Sequence, residues 1–200
     1  IFENADLRNA RLVGSELNKA SFTGFYGPAN LNGASIYRAE MREADFDGVS
    51  LQSVRGFADK TDLRGARLWR TDLSGVRFGA MDAGSLEGAY FYRATLDRTP
   101  LRRDHIGKWC GEEYEARESR ITRHDGKSSA GEGPTAADWW LRASESYRSL
   151  TSNFSGLGRS EDSSWAHFQQ RKSMGQHHLS RLRDGKELSA AAPVTVDFLY

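Results

Sequence analysis

Residues 5–24 read ADLRNARLVGSELNKASFTG, and residues 29–48 read ANLNGASIYRAEMREADFDG. Written in fives, each stretch repeats a large apolar side chain: Leu7, Leu12, Leu17 and Phe22, then Leu31, Ile36, Met41 and Phe46. The column reaches back to Phe2 and forward to Leu51. It resumes at Leu63, Leu68, Leu73 and Phe78, and again at Leu86, Phe91, Leu96 and Leu101. Two residues ahead of most members sits a small side chain, as at Ala5, Ala10, Ser15, Ala20, Ala34 and Ala44. Val49, Thr61, Thr71, Val76 and Thr99 fill the same slot.

A period of five fits neither common element. On a helix, residues five apart diverge by roughly 140°, so the column would wind around the cylinder. On a flat strand an odd step changes face every time. A short extended piece followed by a corner, every five residues, keeps every large residue inward. Four corners close a square turn, and stacked turns pair through backbone hydrogen bonds about 4.8 Å apart. The other columns agree. Glycine stands two residues after the large one at Gly14, Gly24, Gly33, Gly48, Gly65, Gly75 and Gly88, where a corner needs turn geometry. Charged or polar residues flank the large one, as at Asp6, Arg8, Glu16, Arg42, Asp62 and Arg64, and these point to water. One buried Leu or Phe contributes about 1.5–3 kcal/mol, while each ordered residue costs about 1–2 kcal/mol, so a single unit fails and stability comes from stacking.

The tandem units ADLRN, ANLNG and ADFDG resemble the pentapeptide-repeat family over residues 1–101. The resemblance implies a mainly β fold, a right-handed four-sided parallel β-helix. Three interruptions break the fives, Gly24–Pro28, Val54–Lys60 and Gly79–Gly84, and read as corner loops or bulges. Tyr37, Trp69, Tyr90 and Tyr92 stand in outward slots. Trp69 and Tyr92 fall on one wall of adjacent turns, and the segment after the repeats is expected to cover them; the alternative is a docking patch.

The fives stop after Leu101. Residues 102–134 read as a capping segment and flexible linker, with Ile106 and Trp109 plugging the last turn and Gly- and Ser-rich Ile121–Pro134 as linker. Residues 135–182 change to a helical period. Thr135 with Asp138 forms an N-terminal capping pair. Trp139, Ala143, Tyr147, Leu150 and Phe154 make one apolar stripe, and Gly156 and Gly158 end the helix. A second helix starts at Ser160, carries Trp165, Phe168 and Lys172 on one face, and continues past Gly175 to Leu182, which gives a helical hairpin. Residues 183–200, ending in APVTVDFLY, form a tail that rises in hydrophobicity and is expected to lead to a missing downstream segment.

Tyr147, Leu150, Asn153, Phe154, Leu157, Gly158, Arg159, Asp162, Ser164, Trp165, Ala166 and Arg171 form a second pattern. It resembles the helical segment that follows the repeats in a bacterial subgroup of pentapeptide-repeat proteins. There the segment precedes membrane helices resembling a two-helix potassium-channel pore. Thr151 stands where that subgroup commonly has Lys.

The 200 residues carry 28 Lys+Arg against 27 Asp+Glu, a net charge of +1. This removes bulk charge as a reason for nucleic-acid or anionic-membrane binding. One cysteine forms no internal disulfide. No apolar run reaches about 18 residues, so the chain does not span a membrane by itself. No signal peptide is read, and because Ile1 already lies inside the repeat, the chain reads as a segment of something longer.

No catalytic, cofactor-binding or metal residue is assigned. Cys110 lies five residues from His105, without an orienting third group in the pattern. His177 and His178 are adjacent and diverge by about 100° on a helix. GLGRS lacks the ending of a phosphate loop and reads as the hairpin turn. The expected function is a non-catalytic scaffold or protein-interaction domain that uses no cofactor. It is read as the cytoplasmic repeat region of a larger bacterial membrane protein of ion-channel-like type, at the cytoplasmic face of the inner membrane. The expected partner is another protein or a second copy, with no nucleic acid, and with membrane contact only through a segment absent from this chain. The alternative is a soluble pentapeptide-repeat protein that binds a topoisomerase or another partner by shape mimicry, as some members of the family resemble duplex DNA. Mimicry requires a strongly negative rod, whereas residues 1–101 hold 13 Lys+Arg and 13 Asp+Glu, with Arg38, Arg64, Arg67, Arg70, Arg77 and Arg93 in outward slots. A third reading, an enzyme with a site between residues 102–134 and the repeats, has only Cys110 and His105 to motivate it.

Overall fold

The computed structural model describes residues 1–24, 26–52, 54, 60–76, 82–124 and 133–183, with side chains of 120–124 excepted. In the repeat half the chain returns over itself in parallel register. Asp6, Arg11, Glu16 and Ser21 bridge to Asn30, Ser35, Glu40 and Asp45; Glu40, Asp45 and Ser50 bridge to Asp62, Arg67 and Asp72; Arg67 and Asp72 bridge to Tyr90 and Thr95. Among the described residues these remain isolated bridges, one per five-residue unit, not continuous strands. A corner after every bridge leaves no room for a longer ladder.

The steps of the register carry the interruptions. Asp6 to Asn30 is a step of 24, Glu40 to Asp62 of 22, and Arg67 to Tyr90 of 23. Four fives account for 20, so each winding absorbs a few extra residues without losing the column. The first interruption is described apart from Phe25, the second lies mainly outside the described residues, and the third is described over 82–84.

The large residues point inward. Phe22, Ile36, Met41, Phe46, Leu63, Leu68, Leu73 and Phe91 are closed from water. Phe2, Phe22 and Phe46 stack ring on ring, with centroids 5.1 and 4.7 Å apart. Backbone N–H groups of Phe46 and Leu68 donate to the carbonyls of Arg67 and Tyr90 in the following windings. The corner two residues after the large side chain has left-handed backbone in most described units, +74° at Gly33 and +55° at Arg38. Only the first is conformationally free. Thr in the small slot has its own reason: the hydroxyls of Thr61, Thr71 and Thr99 donate to the carbonyls of Ile36, Phe46 and Leu73 in the preceding winding.

Four helices follow: α1 (Arg103–Ile106), α2 (Gly111–His124), α3 (Ala136–Gly156) and α4 (Ser160–Arg183). The sequence reading had no helix at α2; the rest of the expected linker, 125–132, lies outside the described residues. Thr135 and Asp138 form the expected reciprocal cap on α3: the Asp138 N–H donates to Thr135 Oγ1, and the Thr135 N–H to Asp138 Oδ2. Gly158, at φ +70°, lets the chain reverse after α3. Helices α3 and α4 run antiparallel: Ser155 meets Ser163 near the turn, and His177 reaches the Ala137 carbonyl at the far end.

Three sequence expectations need correction. Ile106 is fully buried, but Trp109 is only half-buried, held between Lys108 and Arg117, and Cys110 takes the inward place. The α3 stripe begins at Trp140, 3% exposed, not at its half-buried neighbour Trp139. Phe168 does not share a packed face with Trp165; it is 64% exposed. The 184–200 part of the tail lies outside the described residues. Among the described residues no helix is long and apolar enough to cross a membrane.

Candidate functional site

The chemistry-bearing side chains gather where the helices meet the last winding. The chain first continues the stack without a full turn. Leu86 N–H donates to the His105 carbonyl, as Leu63 N–H donates to the Ser85 carbonyl one winding earlier. Gly111 N–H donates to the Ala89 carbonyl, as Tyr90 N–H donates to Ala66. Gly111 thus stands in the next winding's register while opening α2. A Cβ there would lie 2.5 Å from the Gly88 carbonyl oxygen and 2.6 Å from the Tyr90 ring, so glycine is required by close approach.

Side chains complete the pairing. Asn153 of α3 bonds both backbone groups of Thr99: its Oδ1 accepts from Thr99 N–H at 3.1 Å and its Nδ2 donates to Thr99 O at 2.8 Å. A planar amide thereby stands in for the peptide group of a further winding. Glu112 Oε1 accepts from Tyr92 N–H at 2.7 Å and Trp69 Nε1–H at 3.0 Å. Tyr90 Oη donates to Glu115. These carboxylates tie α2 to the outward aromatics of two windings.

Beneath them is a second polar node. Tyr147 Oη accepts from Cys110 N–H at 3.2 Å and donates to Glu113 Oε2 at 2.7 Å. Glu113 Oε1 also takes Arg117 of α2 and Lys172 of α4. Glu113 is fully buried and joins α2, α3 and α4 at one point. Burial pushes the Glu112 carboxyl above its ordinary value, against the pull of its donors, and Oε2 is buried without a hydrogen-bond partner among the described residues. Burial likewise pushes the Cys110 thiol and the Tyr147 phenol upward. A thiol held protonated and closed from water is a poor nucleophile.

The outer rim is aromatic and cationic. The Arg142 guanidinium lies 5.0 Å from the Trp69 ring, 5.4 Å from Tyr92 and 5.0 Å from Trp139. Arg67 covers Trp69 and Arg93 covers Tyr92. Trp69 and Tyr92 meet at 6.1 Å, as the wall assignment expected, and α3 covers them through Trp139 and Arg142.

The residues considered for chemistry are placed apart. His105 bonds Arg102 N–H and Arg102 Nε, and burial lowers its pKa. No hydrogen bond joins His105 to Cys110 among the described residues. His177 bonds the Ala137 carbonyl, and His178 packs against its ring. Among the described residues no group of three or more His, Cys, Asp or Glu is placed to hold a metal ion. Sequence reasoning missed Asn153 as a cap and Glu112 and Glu113 as buried acids. The signal available was two consecutive Glu at the start of a segment that follows a Trp and a Cys.

Residues 1–24 and 29–55 match the pentapeptide-repeats family, in eight copies. The chain therefore carries pentapeptide repeats. No curated protein matches it.

Proposed function

We propose that this chain is a non-catalytic scaffold: a pentapeptide-repeat β-helix, right-handed and four-sided, closed by a helical unit and built to hold a protein partner or a second copy. On this reading residues 1–101 are the repeat rod, 102–134 its closing segment, 135–182 a helical hairpin, and 183–200 a tail. The observation that carries it is the seam. Glu112, Glu113, Cys110 and Tyr147 are buried and engaged in holding helices to the rod, so these four groups are not open to a substrate. Parallel bridges at every fifth residue and the family match over residues 1–24 and 29–55 support the rod.

We place the chain as the cytoplasmic repeat region of a larger bacterial membrane protein of ion-channel-like type, on the resemblance of residues 147–171. The DNA-mimic alternative has less support, because the rod's surface charges are interleaved. Arg42 and Arg64 both pair with Asp62, Arg67 with Asp45, and Arg70 with Asp47. Fractionating cells that express the native gene with a tag at Gly14 tests the placement. Recovery in the membrane pellet after an alkaline wash supports it. Recovery in the supernatant, together with inhibition of gyrase supercoiling by the purified chain, would replace it with the mimic.

A further inference from the structure

Helix α4 carries a buried face and, opposite it, an exposed apolar one. At 100° per residue, Ala166, Ser173 and His177, all buried, fall on one side. Phe168, Gly175, Leu179 and Leu182 fall within about 40° of one another's mean direction on the opposite side. There Phe168 is 64% exposed, Leu179 44% and Leu182 58%. A helix in a hairpin needs one apolar face to dock on its neighbour. The second face is unused within the described chain.

Gly175 sits in the middle of this second face. Glycine is the poorest helix former after proline. A Cβ at Gly175 would meet nothing within 4 Å among the described residues, so no contact there requires its small size. Large apolar side chains flank a glycine that nothing among the described residues needs.

We propose that α4 pairs antiparallel with α4 of a second copy, each Phe168 seating on the partner's Gly175. The charges of α4 choose both the occupant and the direction. Its first turn is acidic, Glu161 and Asp162, and its last turn is basic, Arg181 and Arg183. An antiparallel pair sets each acidic end against a basic end, and the helix dipoles oppose favourably. A parallel pair would set like charge on like. Seating Phe168 on the partner's Gly175 places the two-fold axis between Arg171 and Lys172, at the middle of Ser160–Arg183, and brings Glu161 within one residue of the partner's Arg183. The whole helix is then used. Arg171 and Lys172 lie on opposite flanks of the face and each stands near its own symmetry mate; Lys172 is paired with Glu113, which leaves Arg171 as the main unfavourable contact. The inference names the partner for the scaffold role proposed above and rests on that reading only for its biological meaning.

Sedimentation of the 200-residue chain from about 10 to about 500 micromolar tests it. A monomer–dimer equilibrium is expected. Gly175→Leu should weaken dimerisation at least about tenfold while raising the thermal midpoint of the monomer, because it improves the helix and meets no neighbour. Phe168→Glu should weaken it similarly. Glu161→Arg should weaken it, and adding Arg183→Glu should restore it, which fixes the antiparallel direction. A monomer at every concentration, as would follow if another segment of the chain covers this face, overturns the proposal. So does a dimer indifferent to Gly175→Leu and Phe168→Glu. Membrane fractionation of the native protein is a separate readout, so failure here leaves the scaffold reading to its own test.

Discussion

At the first winding Leu7, Leu12 and Leu17 are half-buried; near the helical end Leu68, Leu86 and Phe91 are closed from water. Both ends are built from the same five-residue unit, so the unit does not explain the difference. Within residues 1–200, what differs is the cover. At the helical end α1 and α2 keep the stacking register for part of a turn, and Asn153 and Glu112 then supply side-chain oxygens and an amide to backbone groups of the last winding. A stack of windings satisfies its own interior but leaves its terminal backbone groups in need of partners. Side chains from helices meet that need here, and they do so with polar groups that must themselves be buried. The buried acids are a consequence of closing a repeat stack with helices.

The contrast can be broken in the core first. Leu68→Ala should lower unfolding stability by about 3–4 kcal/mol, while Leu7→Ala in the first winding should lose only about 1–2 kcal/mol, read from urea midpoints. Equal losses would remove the difference between the ends. Next is the node under the cap. Glu113→Ala leaves Tyr147, Arg117 and Lys172 facing a dry site and should cost about 3 kcal/mol. That is the low end for a broken buried pair, because Arg117 and Lys172 keep 33% and 36% of their side-chain surface in water. A loss near zero would mean that the node does not hold the helices together.

Asn153→Leu keeps the volume but removes both side-chain bonds to the Thr99 backbone, whose N–H keeps the Leu96 carbonyl and whose carbonyl keeps the Leu101 N–H, for a loss of about 1–1.5 kcal/mol. Amide exchange at Thr99 should accelerate in the same variant, whereas exchange at Leu7 should not. The smallest expected effect is a pH dependence. Burial raises the Glu112 carboxyl in the folded chain above its unfolded value. The folded state therefore holds that proton more tightly. The resulting stabilisation is complete below the ordinary carboxylate value and is lost as pH rises through the raised folded value. Glu112→Gln is neutral throughout and keeps an acceptor for Tyr92 and Trp69. Its stability relative to wild type should climb as pH rises from the ordinary carboxylate value through the raised one. Parallel pH profiles for the two proteins would show that Glu112 does not titrate in the seam.

The column of large residues and the outward charges were legible because burial forces one solution on a period of five. Register was not: steps of 24, 22 and 23 depend on how many residues each corner absorbs, and nothing in the fives counts them. The α3 cap at Thr135 was legible from local chemistry alone, whereas the choice between Trp139 and Trp140 was not, since adjacent residues shift an apolar stripe by only one step. Helix α2 was hidden because its sequence, GEEYEARESRITRH, is mostly charged, and the acids that make the seam look like solvated ones. Their burial follows from tertiary closure. Phe168 failed for the converse reason: it is apolar and in helical phase with Gly175 and Leu182, on the face away from α3.

Asp45 offers the most direct test of the account, because it bridges to Ser21 in one winding and to Arg67 in the next. In nuclear Overhauser spectra of the labelled chain, backbone protons of Asp45 should show close contacts to both Ser21 and Arg67, with Arg67 in turn linked to Tyr90. Contacts confined to residues within one or two units of Asp45, or strand-like contacts running antiparallel, would contradict the winding of the fives and everything built upon it.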